Sequence, residues 1–197
     1  MQHIQETAPP ETPSLQHLHR LVWCALLAAL IAVGSYLHFP LGPVPISLQV
    51  CFVLLSGFVL GPSWGFAAVA MYVLAGLAGL PVFSGGSSGI GHILGPTGGY
   101  LLGFLAAPLI TGLWSRLTRK TRLPWGWGVL ACVAGYAPIY GLGLARLQTS
   151  LDIGWSQAVW VGLLPFLPSD GLQILVAVSA ARYLHQQQLT PRSCPRQ

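Results

Sequence analysis

Apolar residues dominate six runs, at about 21–39, 46–60, 63–80, 97–115, 125–144 and 158–184, and proline and glycine concentrate in the breaks between them. A helix needs roughly 20 predominantly apolar residues to cross a bilayer. The pattern therefore predicts an all-α integral membrane protein, a six-helix bundle filling residues 21–184 with no separate soluble domain. The flanks differ. Residues 1–20 carry Glu6, Glu11, Pro9, Pro10 and Pro13 and no small-residue cleavage site, and residues 185–197 carry Gln186, Gln187, Gln188, Pro191 and Pro195. Both read as disordered tails.

Composition supports the membrane reading. Of the 197 residues, 53% are hydrophobic and 7% charged, with mean hydropathy +0.65, against roughly 25% charged in a typical soluble domain. The net charge of +5 has a topological explanation. Arg20, Arg116, Arg119, Lys120, Arg122, Arg182, Arg192 and Arg196 all fall on one side of a six-span arrangement, and only Arg146 falls on the other. The positive-inside rule then puts both termini in the cytoplasm of a multi-pass protein of the cell membrane. It also removes the reason to read the charge as a nucleic-acid surface. Cys24, Cys51, Cys132 and Cys194 are scattered, with no CxxC or Cys/His ligand spacing, so the expectation is inert packing residues and no metal.

The chemistry gathers at few positions. Asp170, in Pro165-Phe166-Leu167-Pro168-Ser169-Asp170-Gly171-Leu172-Gln173, is the only acidic residue inside the apolar runs. A carboxylate in a membrane is costly unless it faces a bundle interior or a wet cavity; Asp170 reads as a ligand-binding residue. Pro81–Gly95 forms a glycine-rich outward loop, suited to close backbone approach and to serving as a lid over an outward-facing pocket. Tyr100, Phe83, Phe166, Trp155 and Trp160 are candidates for an apolar wall, and Ser84, Ser87, Ser88 and Thr97 for hydroxyl donors. Trp155 and Trp160 equally suit interfacial anchors. Gly61-Pro62-Ser63 and Gly95-Pro96-Thr97 each open an apolar run, as helix-start devices do; the second carries more glycine than a cap requires. In the first span Ala25, Ala28, Ala29 and Ala32 recur at four-residue spacing, which serves close helix packing inside the chain or docking of a separate membrane protein.

Three segments taken in order carry a resemblance: Gly42-Pro43-Val44-Pro45-Ile46-Ser47-Leu48-Gln49, Leu94-Gly95-Pro96-Thr97-Gly98-Gly99-Tyr100-Leu101-Leu102-Gly103-Phe104, and Pro165-Phe166-Leu167-Pro168-Ser169-Asp170. Over residues 20–184 the chain resembles the BioY family, the biotin-binding S components of energy-coupling factor (ECF) vitamin transporters. The resemblance implies a six-helix protein that captures biotin near its outer face, with Asp170 accepting the ureido N–H groups. No cofactor is implied; biotin is the transported ligand. It also implies that Ala25 and Ala29 dock a transmembrane scaffold subunit, which works with two ATPase subunits. The chain has no GxxxxGK[ST] phosphate loop to energise uptake itself. It departs from the family where lysine usually stands three residues after the aspartate. Here that residue is Gln173, leaving Arg146 as the alternative partner for the ligand carboxylate.

Two other function classes fit parts of the sequence. A stand-alone secondary transporter of a small vitamin-like solute accounts for the spans, but such carriers usually place ionisable groups near the midplane. An intramembrane serine protease would use Gly86-Ser87-Ser88-Gly89 with His92, a loose motif match.

Overall fold

The computed structural model describes residues 13–39, 44, 46–117 and 124–187. Helix α1 (Pro13–Tyr36) leads through a two-residue antiparallel ribbon, β1 (His38–Phe39) with β2 (Ile46–Ser47), into α2 (Gln49–Leu60) and α3 (Pro62–Leu77). A 3-10 turn (Ser84–Gly86) and the short α4 (Ile90–Leu94) precede α5 (Gly98–Leu117). Helices α6 (Trp125–Leu151), α7 (Trp155–Gly162) and α8 (Leu167–Gln186) complete the bundle.

Among the described residues, α1, α5, α6 and the α7–α8 stretch are long and apolar enough to cross a membrane, and α2 and α3 are shorter apolar helices. Together they make six apolar helical segments, at the positions of the six expected spans. The first begins earlier than expected: α1 starts at Pro13, so residues 13–20 are helical rather than tail. Its continuation is favoured by Leu15, Leu18, Leu21 and Val22, which give that turn an apolar exposed face. The last helix similarly runs to Gln186, past the expected limit of 184. The remaining tail residues, and with them Arg119, Lys120, Arg122, Arg192, Arg196, Cys194, Gly42, Pro43 and Pro45, lie outside the described residues.

Two packing devices set the bundle. On α5, Gly99 and Gly103 sit four apart and face α6. A Cβ at Gly99 would lie 2.1 Å from the Leu142 carbonyl oxygen, and one at Gly103 would lie 2.4 Å from Ile139 Cα. The two backbones meet because neither position has a side chain. The second device is the broken final span. The expected single helix is interrupted at Leu163, whose φ/ψ of −132°/−53° is not helical, and Pro165 and Pro168 stand at the starts of the 3-10 turn Leu164–Phe166 and of α8. That interruption starts a new helix inside the bundle, with Asp170 in its first turn.

α2 is short for a related reason. Its 12 residues span about 18 Å at 1.5 Å per residue, well under the hydrocarbon core. Gln49 and Cys51 in its first turn are buried, so the amide there needs an acceptor within the protein. One such acceptor is a side chain of α8, described below.

Candidate functional site

The break before α8, the start of α2 and the α4 segment converge on one pocket, with about 610 Å³ of space between its walls when the open solvent at its mouth is included. Ser47, Gln49 and Val50 line it from the α2 side, Tyr100, Leu101 and Phe104 from α5, and Tyr136, Ile139 and Tyr140 from α6. Val44, Ser84, His92 and Thr97 line it from the connecting segments, and Phe166, Asp170 and Gln173 from α8. The mix of apolar and aromatic walls with few convergent polar groups is that of a small-molecule site.

At its polar focus is Asp170, 7% exposed. Tyr136 donates its phenol proton to Asp170 Oδ1 at 3.1 Å, and Tyr140 donates to Oδ2. The two phenols reach one carboxylate because they are four apart on α6 and so share a helix face. Their rings stack with centroids 5.7 Å apart, and Tyr100 meets Tyr140 edge-on at 6.3 Å. Tyr100 is fixed by donating to the Gly162 carbonyl at 2.9 Å. The two phenols thus hold the carboxylate in place, and Oδ2 keeps a lone pair for a ligand donor.

Gln173 is satisfied on both ends. Its Oε1 accepts the Cys51 N–H of α2 at 3.0 Å, and its Nε2 donates to Ser169 Oγ at 3.2 Å and to Asp170 Oδ1 at 3.4 Å. Gln173 is therefore a strut between α2 and α8 as well as a pocket residue.

The glycine-rich segment covers one side of the pocket. Ser35 Oγ donates to the Val82 carbonyl at 2.6 Å, and the Tyr36 phenol donates to the Pro81 carbonyl, tying the segment to α1. Phe83, expected in the pocket wall, is instead fully buried beneath the segment. It fits into the space left at Gly76, where a Cβ would be 2.2 Å from the ring, and makes an edge contact with Tyr72 at 5.7 Å. Gly89, at φ +83°, turns the chain so that its N–H donates to the Gly76 carbonyl at 2.8 Å. His92 stacks on Phe83 at 5.1 Å, and burial holds its imidazole below the ordinary histidine range.

Of the sequence candidates, Asp170, Gln173, Tyr100, Phe166, Ser84 and Thr97 meet at the pocket. Phe83, Ser87 and Ser88 do not line it: Ser87 lies behind His92, and Ser88 is exposed. Trp155 and Trp160 are 60% and 70% exposed and face away. Arg146 is also absent from the lining; its guanidinium donates to the Leu94 carbonyl at the end of α4. Sequence reasoning passed over Tyr136 and Tyr140, although two tyrosines four apart in an apolar helix were a usable signal. It also missed Gln49, whose Nε2 donates to the buried Tyr72 phenol at 2.8 Å.

The Ser87–His92 contact, 2.9 Å, does not make a nucleophile. Ser87 Oγ donates its only proton to the Ser84 carbonyl at 2.8 Å, so towards His92 it can only accept. An activated serine requires the reverse.

On α1, Ala25 and Ala29 are both exposed, in a face with Leu21, Val22, Leu26 and Val33. These alanines are not buried in packing within the chain.

Comparison with known proteins agrees with this architecture. A Thermotoga maritima biotin transporter, BioY, is 42% identical over 165 residues, 83% of this chain and 94% of the relative. A probable biotin transporter BioY of Pyrococcus horikoshii is 41% identical over 163 residues, 81% of this chain and 92% of the relative. The crystal structure of the S component for biotin from an ECF-type ABC transporter superposes with a TM-score of 0.83 at 29% identity, covering 93% of this chain and 100% of that one. With several apolar helices and transporter relatives, the chain is a multi-pass membrane protein. The BioY family model matches residues 6–189, and with these relatives that match makes the chain a member of the BioY family.

Proposed function

We propose that this protein is the membrane subunit that captures biotin for import. The observation that carries this reading is Asp170, an acceptor-only carboxylate held by Tyr136 and Tyr140 at the polar focus of an otherwise apolar, aromatic-walled pocket. Biotin presents a matching pattern: a ureido group with two N–H donors, then an apolar thiophane ring and valeryl chain. A carboxylate oxygen with a lone pair to spare suits a ureido donor, and Tyr100, Phe104, Ile139 and Phe166 suit the apolar body. Gln173, Ser84 and Thr97 supply further polar groups at the pocket surface. Phe83 and Ser87 support the cover rather than touch the ligand, and Ser88 is exposed outside the pocket lining.

The helical region acts as one binding domain, with the pocket open to the outside and both termini in the cytoplasm. Arg116, beside Gly61 at the α2–α3 turn, and Arg182, over the Trp125 ring at the start of α6, support that orientation under the positive-inside rule. Uptake is energised by a separate ECF scaffold subunit and two ATPase subunits, with the exposed Ala25 and Ala29 face of α1 receiving the scaffold.

The test is equilibrium binding of labelled biotin to the purified chain in detergent or nanodiscs. Saturable binding by the chain alone, competed by unlabelled biotin and not by an apolar acid of similar size, is the expected result. Folded protein that binds no biotin would contradict the reading.

A further inference from the structure

A ligand that gives its neutral ureido end to Asp170 must put its own carboxylate elsewhere, because two carboxylates would repel. The departure from lysine at Gln173 removes the obvious cation. The pocket has another polar wall, on the connecting segments, where His92 and Thr97 both reach the lining. We propose that His92 and Thr97 form a proton-linked reader of the ligand carboxylate, in which the protonated imidazole frees the Thr97 hydroxyl to donate to the anion. This rests on the biotin-capture reading above.

The hydrogen-bond directions carry the argument. The Ser84 carbonyl can only accept, so Ser87 Oγ spends its proton there, at 2.8 Å. Ser87 Oγ then accepts from His92 Nδ1, at 2.9 Å, which fixes the Nδ1–H tautomer. In the neutral ring Nε2 is therefore bare, and Thr97 Oγ1, 3.2 Å away, must donate its proton to it. In that state the wall offers the pocket no hydroxyl proton from Thr97. Adding a proton at Nε2 reverses the bond: Nε2–H donates to Thr97 Oγ1, and the threonine proton turns towards the pocket. The change supplies one positive charge and one donor together, both suited to a carboxylate.

The surroundings keep the free imidazole neutral. Phe83 covers one ring face, and burial lowers the affinity for the proton. Arg146, from α6, holds a fixed positive charge on the Leu94 carbonyl at the end of the same short helix, and His38 of β1 lies beside Gly85 at the 3-10 turn. Across the pocket are Asp170 from α8 and the phenols of Tyr100, Tyr136 and Tyr140, with Tyr72 of α3 behind Phe83. Burial opposes protonation until an anion enters the pocket. Anion binding then raises the proton affinity of His92, so the complex holds more protons than the free protein, and affinity rises as pH falls.

The experiment compares biotin with biotin amide, which lacks the charge, across about pH 6 to 8, on wild type and on His92→Gln and Thr97→Val variants. Calorimetry in buffers of different ionisation enthalpy counts the protons. The expected result is proton uptake with biotin and none with the amide, and a biotin affinity that rises on acidification by up to about tenfold per pH unit, the limit for one linked proton. His92→Gln keeps hydrogen-bonding groups between the two hydroxyls but cannot titrate, and should flatten the dependence, as should Thr97→Val. Equal pH dependence for biotin and the amide, or an unchanged slope in His92→Gln, would overturn the proposal while leaving biotin capture standing. If folded wild-type protein binds neither compound, both readings fail together.

Discussion

Gln173 Oε1 accepts the backbone N–H of Cys51 at 3.0 Å, joining α8 to the N-terminal turn of α2 across 122 positions of sequence. The bond answers a need created by burial. Cys51, in the first turn of that 12-residue helix, is buried, and a buried N–H left without a partner costs about 1–3 kcal/mol. Glutamine also turns its amide nitrogen to Asp170, so one side chain closes a helix end and borders the carboxylate that receives the ligand.

Gln173→Leu should therefore lower stability by about 1–3 kcal/mol, the cost of an unsatisfied buried donor. Thermal unfolding in a fixed detergent would measure this. Gln173→Glu, which keeps an oxygen for Cys51, should recover part of the stability yet weaken biotin binding by placing a second carboxylate beside Asp170. If the leucine variant unfolds like wild type, the Gln173–Cys51 bond contributes nothing to stability.

Tyr140→Phe should weaken biotin binding by roughly tenfold to a hundredfold, equivalent to about 1.5–3 kcal/mol for a hydrogen bond to a charged group. The same change at Tyr136 should act in the same direction, and the double variant should lose less than the sum because both bonds serve one carboxylate. Titration of the three variants would decide. Strict additivity would indicate two independent contacts instead.

Gly143 faces the Tyr100 ring so closely that a Cβ there would lie 2.5 Å from Cδ1. Gly143→Ala should push Tyr100 off the pocket wall and break its bond to the Gly162 carbonyl, at an overpacking cost of about 1–3 kcal/mol. Biotin affinity and thermal stability should fall together. Unchanged affinity in the alanine variant would show that Tyr100 is not a wall of the occupied site.

Ala29→Leu on the exposed face of α1 should leave biotin binding to the isolated subunit within about twofold, since surface substitutions usually stay within 0.5 kcal/mol. Uptake in cells should fall sharply if that face receives the scaffold subunit. Equal loss of binding and uptake would point to packing within the chain.

The fold was legible where hydrophobicity alone decides it. Six apolar runs with glycine and proline between them place six spans, because burial in lipid leaves the backbone little choice but helix. What composition could not show was the break before α8, set by Pro165 and Pro168 inside a run counted as one span, and the early start of α1 in a polar, proline-rich flank. Within the site, Asp170 stood out because a lone carboxylate in lipid requires a reason. Tyr136 and Tyr140 did not, since tyrosine is common at membrane surfaces and only the placement of α6 against α8 aims both at one carboxylate. The glycines of the second helix-start motif split in purpose. Gly99 joins Gly103 in seating α5 on α6, a relation that depends on which helix lies opposite and cannot be read from spacing. Phe83 is a loop aromatic that sequence alone leaves as a candidate wall residue, and it is the space opened at Gly76 on α3 that buries it instead.

The central claim is that Asp170 reads the ureido N–H groups of biotin. The most direct measurement is equilibrium titration of wild-type protein and Asp170→Asn with biotin and with biotin methylated on a ureido nitrogen, folding being checked by thermal profile. Wild type should bind biotin far more tightly than the methylated compound. Asp170→Asn, whose amide presents donors of its own to the ureido group, should lose affinity for biotin by at least about tenfold, and with it most of the discrimination. Near-wild-type affinity in a folded Asp170→Asn protein, or equal binding of the two compounds by wild type, would contradict the account.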